Sequence, residues 1–168
     1  MPFTFRRWTL AAVAAVAALL FHDASAGAQA PADERSQILA VTDSALAAVS
    51  RNDFVAFTDL MIDSAVVYGV RTSGTTTQTF SVSRAKWRST VVKERFTERP
   101  FRPEVHISGP LAVVWTPYDF YDDGKWSHCG VDTFTLVKVA EHWRIATLSF
   151  SMEQPPACER HPAGPPKP

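Results

Sequence analysis

The sequence predicts an α+β domain in which three N-terminal helices pack against one face of an antiparallel sheet. Two changes of pattern carry this. Apolar residues first recur at helical spacing, at Ile38, Val41, Ala45 and Val49. From Phe101 the period becomes two, with Phe101, Pro103, Val105 and Ile107 alternating with Arg102, Glu104, His106 and Ser108. Length agrees: about 125 residues between Pro31 and Pro155 can bury roughly two-thirds of the unfolded chain's surface, enough for one self-standing domain.

The first element is a leader. MPFTFRR is followed by an apolar run, Trp8 to Phe21, and then by small residues in HDASAGAQA, the order of a signal peptide over residues 1–30. The run is shorter than the ≈20 residues that span a bilayer, so a permanent anchor is the weaker reading. Cleavage fits after Ala26 or after Ala30, with Pro31 disfavouring the second. The mature protein is then expected to be periplasmic or secreted, with no stable membrane anchor.

A first helix is expected over 33–50, with Leu39 and Leu46 flanking its stripe and acidic Asp33 and Glu34 at the positive end of its dipole. Ser50-Arg51-Asn52-Asp53 breaks the pattern and caps a second, short helix through Phe54, Phe57 and Met61. A short strand follows at 65–70, then a polar loop over Thr72–Thr79 centred on Gly74. A third helix is expected from Ser83 to Arg95. After the Phe101–Ile107 strand, Gly109-Pro110 turns the chain into a strand over 111–121. Asp123-Gly124 is a strong hairpin signal, leading to strands over 126–139 and 143–152. From 155 to 168 lie six of the twelve prolines, an extended tail with no core of its own.

The 168 residues carry 17 basic and 17 acidic side chains. Without residues 1–30 they are 15 and 16, which argues against a nucleic-acid partner, since such surfaces cluster Lys and Arg against phosphates. Two cysteines exclude a four-thiolate zinc site. In an oxidising compartment Cys129 and Cys158 can form one disulfide tying the tail to the sheet; the alternative is a buried free Cys129 and a mobile Cys158.

The block WTPYDFYDDGKWSHCGVDTFTLVKVAEHWRIATLSF resembles the nuclear transport factor 2-like superfamily, especially its bacterial SnoaL-like members. The matching positions are Trp115, Tyr118, Phe120, Gly124, His128-Cys129-Gly130-Val131-Asp132, Phe134, Leu136 and Trp143-Arg144-Ile145. His142 stands where that family usually has glycine. The resemblance spans residues 33–152 and implies a cystatin-like cone, a strongly curved sheet around a cavity plugged by helices, commonly dimeric. A shared shell of this kind is poor evidence for chemistry.

The candidate site follows from strand pairing. If the Asp122–Lys125 hairpin has a two- or four-residue loop, residues summing to 247 face each other. Asp119 then lies opposite His128, Trp115 opposite Asp132 and Tyr118 opposite Cys129, so Trp115, Asp119, His128 and Asp132 share one face. Asp119 and His128 would have Cβ atoms about 4.5–5.5 Å apart, close enough for the carboxylate to orient an imidazole of pKa near 7. A three-residue loop would break this pair. The expected catalytic set is His128 with Asp119 or Asp132; the alternative is that they are structural. Tyr68, Trp87, Trp115 and Tyr118 are the expected ligand-binding aromatics. No metal site is expected, because His128 and Asp132 stand about 13 Å apart along one strand. Three functions stay open: an exported protein binding a small apolar or aromatic molecule, a cofactor-free isomerase, dehydratase or cyclase using His/Asp chemistry, or a non-catalytic dimeric interaction protein.

Overall fold

The computed structural model describes residues 30–166. The expected leader lies outside them except for Ala30, which opens the first helix. The elements run α1 (Ala30–Ser50), α2 (Phe54–Asp59), β1 (Met61–Ser73), β2 (Thr76–Ser83), α3 (Arg84–Arg88), β3 (Phe96–Pro100), β4 (Glu104–Ser108), β5 (Leu111–Asp122), β6 (Lys125–Val139) and β7 (His142–Met152). The α+β class holds. The seven strands form an unclosed sheet in the order β2-β1-β7-β6-β5-β3, with β4 also on β5. Its pairs are antiparallel except β1 with β7, which brings the two ends of the domain together in parallel.

The helices cover one face. Ile38, Ala45 and Leu46 of α1 and Phe54 and Phe57 of α2 are buried against Val114, Phe134, Leu136 and Ile145 of the sheet. Asp53 caps α2, its Oδ1 accepting from the Ala56 N–H at 2.9 Å. Met61, expected in that helix, instead begins β1. The polar stretch read as a loop at Thr72–Thr79 is a hairpin turning at Gly74, where φ is +60°. Its second strand is an exposed edge, so neither face needs apolar residues and no alternation marks it.

The third helix is shorter than expected. Ser83 caps it, but Ser89 and Thr90 turn their hydroxyls back onto the Lys86 carbonyl, and the β-branched Val91 and Val92 follow. The chain then extends into β3, a strand the residue pattern did not reveal. On β3, Phe96 and Glu98 line the space under the helices while Arg99 lies on the other side, bonded to Asp119.

The tail is held against the outer face. Cys129 and Cys158 form a disulfide, Cys129 and Glu153 exchange backbone hydrogen bonds, and the Gln154 side chain bridges Ser127 O and Trp126 Nε1. Glu159 pairs with Arg102, and Arg160 lies over the Trp126 ring. The bridge spans 29 residues of sequence. Reduction is therefore expected to lower the unfolding free energy by about 2–4 kcal/mol, read from urea midpoints with and without reductant. Two reactive thiols before reduction would contradict the bridge.

Candidate functional site

Between the helices and the sheet lies a cavity of about 360 Å³. Phe54 and Phe57 of α2, Trp87 of α3 and Phe96, Phe120 and Phe150 of the sheet give it an aromatic wall. Trp87 sits 5.2 Å from Phe54 and edge-on to Phe57 at 5.9 Å, so α3, though short, is anchored to α2 through its one aromatic residue as well as through Arg84 and Arg88. The Trp87 Nε1–H is buried and meets no acceptor.

Three acids line the cavity along with the aromatics, Glu98 from β3, Asp122 from β5 and Asp132 from β6, and of these Glu98 and Asp132 meet. Glu98 is placed by two constraints: its strand pairs with β5, putting it opposite Phe120, and its N–H donates to Ser50 Oγ at the end of α1, at 3.2 Å. The two side chains are hydrogen-bonded to each other, which two carboxyls can do only by holding a proton between them. Burial drives the Asp132 carboxyl well above the usual range, and the charge and hydrogen bond of Glu98 push it further. Burial also raises Glu98, to about 7, with the bond from Asp132 opposing the rise. Asp132 thus keeps the proton and donates, while Glu98 ionises near neutrality; the pair titrates as a unit.

A second polar chain runs beside the pair. The Tyr118 hydroxyl donates to the Ser151 carbonyl at 2.7 Å, so it receives the His128 Nε2–H at 3.1 Å. His128 Nδ1 then accepts from the Ser127 hydroxyl at 2.9 Å. Burial first, and the Arg71 charge second, lower His128 to about 4. The phenol of Tyr118 is held protonated by burial and by the acids Asp132, Glu98 and Glu153. Gly130 makes room for this chain: a Cβ there would come within 1.9 Å of the Ser151 oxygen.

The neutral histidine leaves a mark on stability. His128 keeps its neutral form in the fold to about pH 4, whereas an unfolded histidine binds its proton near 6.5. Stability held above pH 6.5 is therefore lost as the pH falls through that window. Glu98 has the opposite sign, its contribution being present below 4.5 and lost as the pH rises to about 7. His128→Asn removes the acid-side loss and leaves the opposing contribution of Glu98, so the urea midpoint at pH 4.5, taken relative to that at pH 7, is expected to be higher in the variant than in the wild type.

Several expected site residues fall elsewhere. At the turn the sheet does pair residues summing to 247, Asp122 with Lys125 and Tyr121 with Trp126, but a bulge at Ser127 then shifts the register by one. His128 faces Phe120, Asp119 faces Cys129, Thr116 faces Asp132 and Trp115 faces Thr133. A one-residue slip sends a side chain to the opposite face. Asp119 is accordingly no partner of His128. It is fully buried on the outer side, bonded by Arg99 Nε at 2.8 Å and Nη2 at 2.6 Å and by the His161 N–H at 3.1 Å. Trp115 is 48% exposed on that outer face, beside a groove of about 500 Å³ that runs under Cys158 and Glu159. Tyr68, on β1, is 45% exposed and also outside the cavity. Trp87, Tyr118, His128 and Asp132 do meet in the cavity. The expected histidine of pKa near 7 is corrected too, since burial makes His128 a neutral hydrogen-bonding link and the near-neutral group is Glu98. Glu98 was missed; the cue for it is the alternation of Phe96, Glu98 and Pro100 in a stretch otherwise dense in charge. No group of three metal-ligating side chains occurs among the described residues.

Helices over one face of an open, mostly antiparallel sheet, with a ligand-sized cavity between, define the cystatin-like, nuclear transport factor 2-like class. By sequence the chain belongs to the SnoaL-like domain family, which it matches over residues 38–155. Solved structures agree at the level of the fold. An NTF2-like protein with a cystatin-like fold from Novosphingobium aromaticivorans superposes with a TM-score of 0.59 at 12% identity, covering 73% of this chain and 84% of that one. An NTF2-like protein of unknown function from Pseudomonas putida KT2440 gives 0.59 at 12%, covering 71% and 87%. A candidate scytalone dehydratase from Novosphingobium aromaticivorans DSM 12444 gives 0.57 at 12%, covering 74% and 87%. No curated protein matches the chain by sequence.

Proposed function

We propose that this protein binds a small, largely apolar molecule in the cavity and moves a proton on it, as an isomerase or dehydratase that needs no cofactor. The observation that carries this reading is the pairing of half-buried Glu98 with buried Asp132 in an aromatic wall, with Glu98 raised to about 7. A base poised near the working pH combines a useful ionised fraction with useful proton affinity. On a substrate with a carbonyl group, the Glu98 carboxylate takes a proton from the adjacent carbon and the C–H electron pair moves into the enolate. Return of that proton to a different carbon completes an isomerisation; loss of a β-hydroxyl as water, with proton delivery to the leaving oxygen, completes a dehydration. Asp132, protonated, orients Glu98 through their shared bond. Trp87 Nε1–H is a wall donor without a protein acceptor and suits the carbonyl oxygen. His128 positions the wall through Tyr118 rather than acting as the base.

The experiment is deuterium uptake by 2-tetralone, a bicyclic ketone with exchangeable α-hydrogens, in D₂O with purified protein. Exchange above the buffer rate, rising with pH through about 7, supports proton transfer. Saturable binding of the ketone without added exchange leaves a carrier, the second reading. That reading draws on the sealing of Asp132, 1% exposed, and on the occupied nitrogens of His128.

Export is part of the proposal: the charged, apolar and small-residue order of residues 1–30 and the Cys129–Cys158 bridge both favour a periplasmic or secreted protein. The interaction-protein reading expects a filled interior, which the cavity disfavours. A homodimer on the outer sheet face is compatible with a working cavity and is tested by the solution mass of the mature chain.

A further inference from the structure

The cavity does not end at its aromatic wall. Arg71, Ser127, His128 and Met152 border both it and an adjoining pocket of about 340 Å³, which continues over Thr72, Ser73 and Gln154. The two spaces differ in character, aromatic and acidic within, polar and hydroxyl-lined beyond. Arg71 stands at their junction, on β1 beside Met152 of β7.

Its guanidinium is under-used. Nη2 reaches the Met152 thioether at 3.6 Å, a weak acceptor, and Arg71 forms no ion pair among the described residues. Glu153 lines the outer pocket as well, but its carboxylate makes no salt bridge to Arg71. Arginine offers a planar fork of donors matched to a carboxylate, and here that fork has a pocket on each side. The part of the cavity lined by Glu98 and Asp132 is the wrong place for an anion, since neither acid forms an ion pair among the described residues.

Resting on the small-molecule reading above, we infer that the ligand is an amphiphilic anion: an aromatic or alicyclic carboxylate whose ring system fills the aromatic wall and whose carboxylate is gripped by Arg71 at the junction. Arg71 then sets both selectivity and orientation. With the carboxylate fixed outward, the ring end and its reactive carbon are carried toward Glu98, and like-charge repulsion opposes the reversed pose.

The test compares 2-naphthoate with 2-acetonaphthone, the same ring system bearing a carboxylate or a neutral ketone. Binding is measured by calorimetry to wild type, Arg71→Gln and Arg71→Lys. The naphthoate is expected to bind wild type about tenfold tighter than the ketone, since a charge-assisted bond outweighs a neutral one. Arg71→Gln should weaken naphthoate about tenfold while leaving the ketone within about twofold, and Arg71→Lys should restore part of the loss. Unchanged ketone affinity also shows that the variant is folded. Equal weakening of both probes, or a naphthoate no tighter than the ketone in wild type, overturns the inference while the cavity reading stands. Binding of neither probe overturns the cavity reading and this inference with it.

Discussion

Glu98→Gln is expected to lower the rate of proton exchange by about 10²–10⁴-fold, with ligand affinity nearly unchanged. Glutamine keeps the size of the side chain and can still accept from the Asp132 hydroxyl, so the wall is preserved. What it lacks is an oxygen able to take a proton. In the wild type the rate should follow the ionised fraction of Glu98, small below pH 6 and levelling above about 7. The variant should lose that limb of the profile along with the rate. Asp132→Asn separates positioning from proton transfer: the amide still donates to Glu98 but more weakly than the carboxyl, whose bond opposes the rise caused by burial, so the limb should move toward higher pH. A Glu98→Gln protein that retains the wild-type rate would show that the base lies elsewhere.

Asp119→Ala is expected to destabilise the fold by about 3–5 kcal/mol, the cost of leaving a buried charge without its partner. Asp119 is fully buried, and three N–H donors converge on it, two from Arg99 and one from the His161 backbone. Arg99 is itself mostly sheltered, and its affinity for its proton is raised by the bond to Asp119. Removing the carboxylate strands a guanidinium between Tyr121 and the tail and frees the tail's inner hydrogen bond. A small domain commonly has only about 5–15 kcal/mol in total, so the loss should appear as a large fall in urea midpoint. The double variant Asp119→Leu with Arg99→Met should recover much of it, because an apolar pair of similar shape avoids the desolvation cost. Proton exchange in the cavity should survive both changes at temperatures where the fold persists, since the ion pair lies on the opposite face of the sheet.

These two carboxylates show how far the residues could be read on their own. Asp119 and Asp132 both lie on strands with clear alternation, and the strands were legible because one apolar face repeats every second residue. Their relative placement was not. The turn at Asp123-Gly124 announces itself chemically, and the first two pairs after it obey the expected register. The extra residue at Ser127 has no such mark, yet it moves Asp119 away from His128 and brings Phe120 to it, stacked at 4.8 Å.

Glu98 was hidden for a different reason. The stretch from Lys93 to Arg102 is dense in charge and follows a helix, so it reads as solvated chain. Only its position between β5 and the end of α1 buries the carboxyl, and only the sheet order brings it to Asp132, 34 residues further along. The shortened α3 belongs to the same class of event, since hydroxyls of Ser89 and Thr90 stop a helix whose apolar spacing would have continued.

Residue pattern alone was enough for the α+β class, for N-terminal helices against one face of the sheet, for the long C-terminal hairpins and for a generous supply of aromatics. These are properties of local period and turn chemistry, which neighbouring residues settle among themselves. Tertiary structure alone decided that Cys129 and Cys158 join, that Asp119 is a structural anchor, that His128 is neutral and that Glu98 carries the near-neutral proton. Each of those depends on which distant groups share a water-poor space, and burial changes the cost of a charge far more than anything in its own stretch of chain.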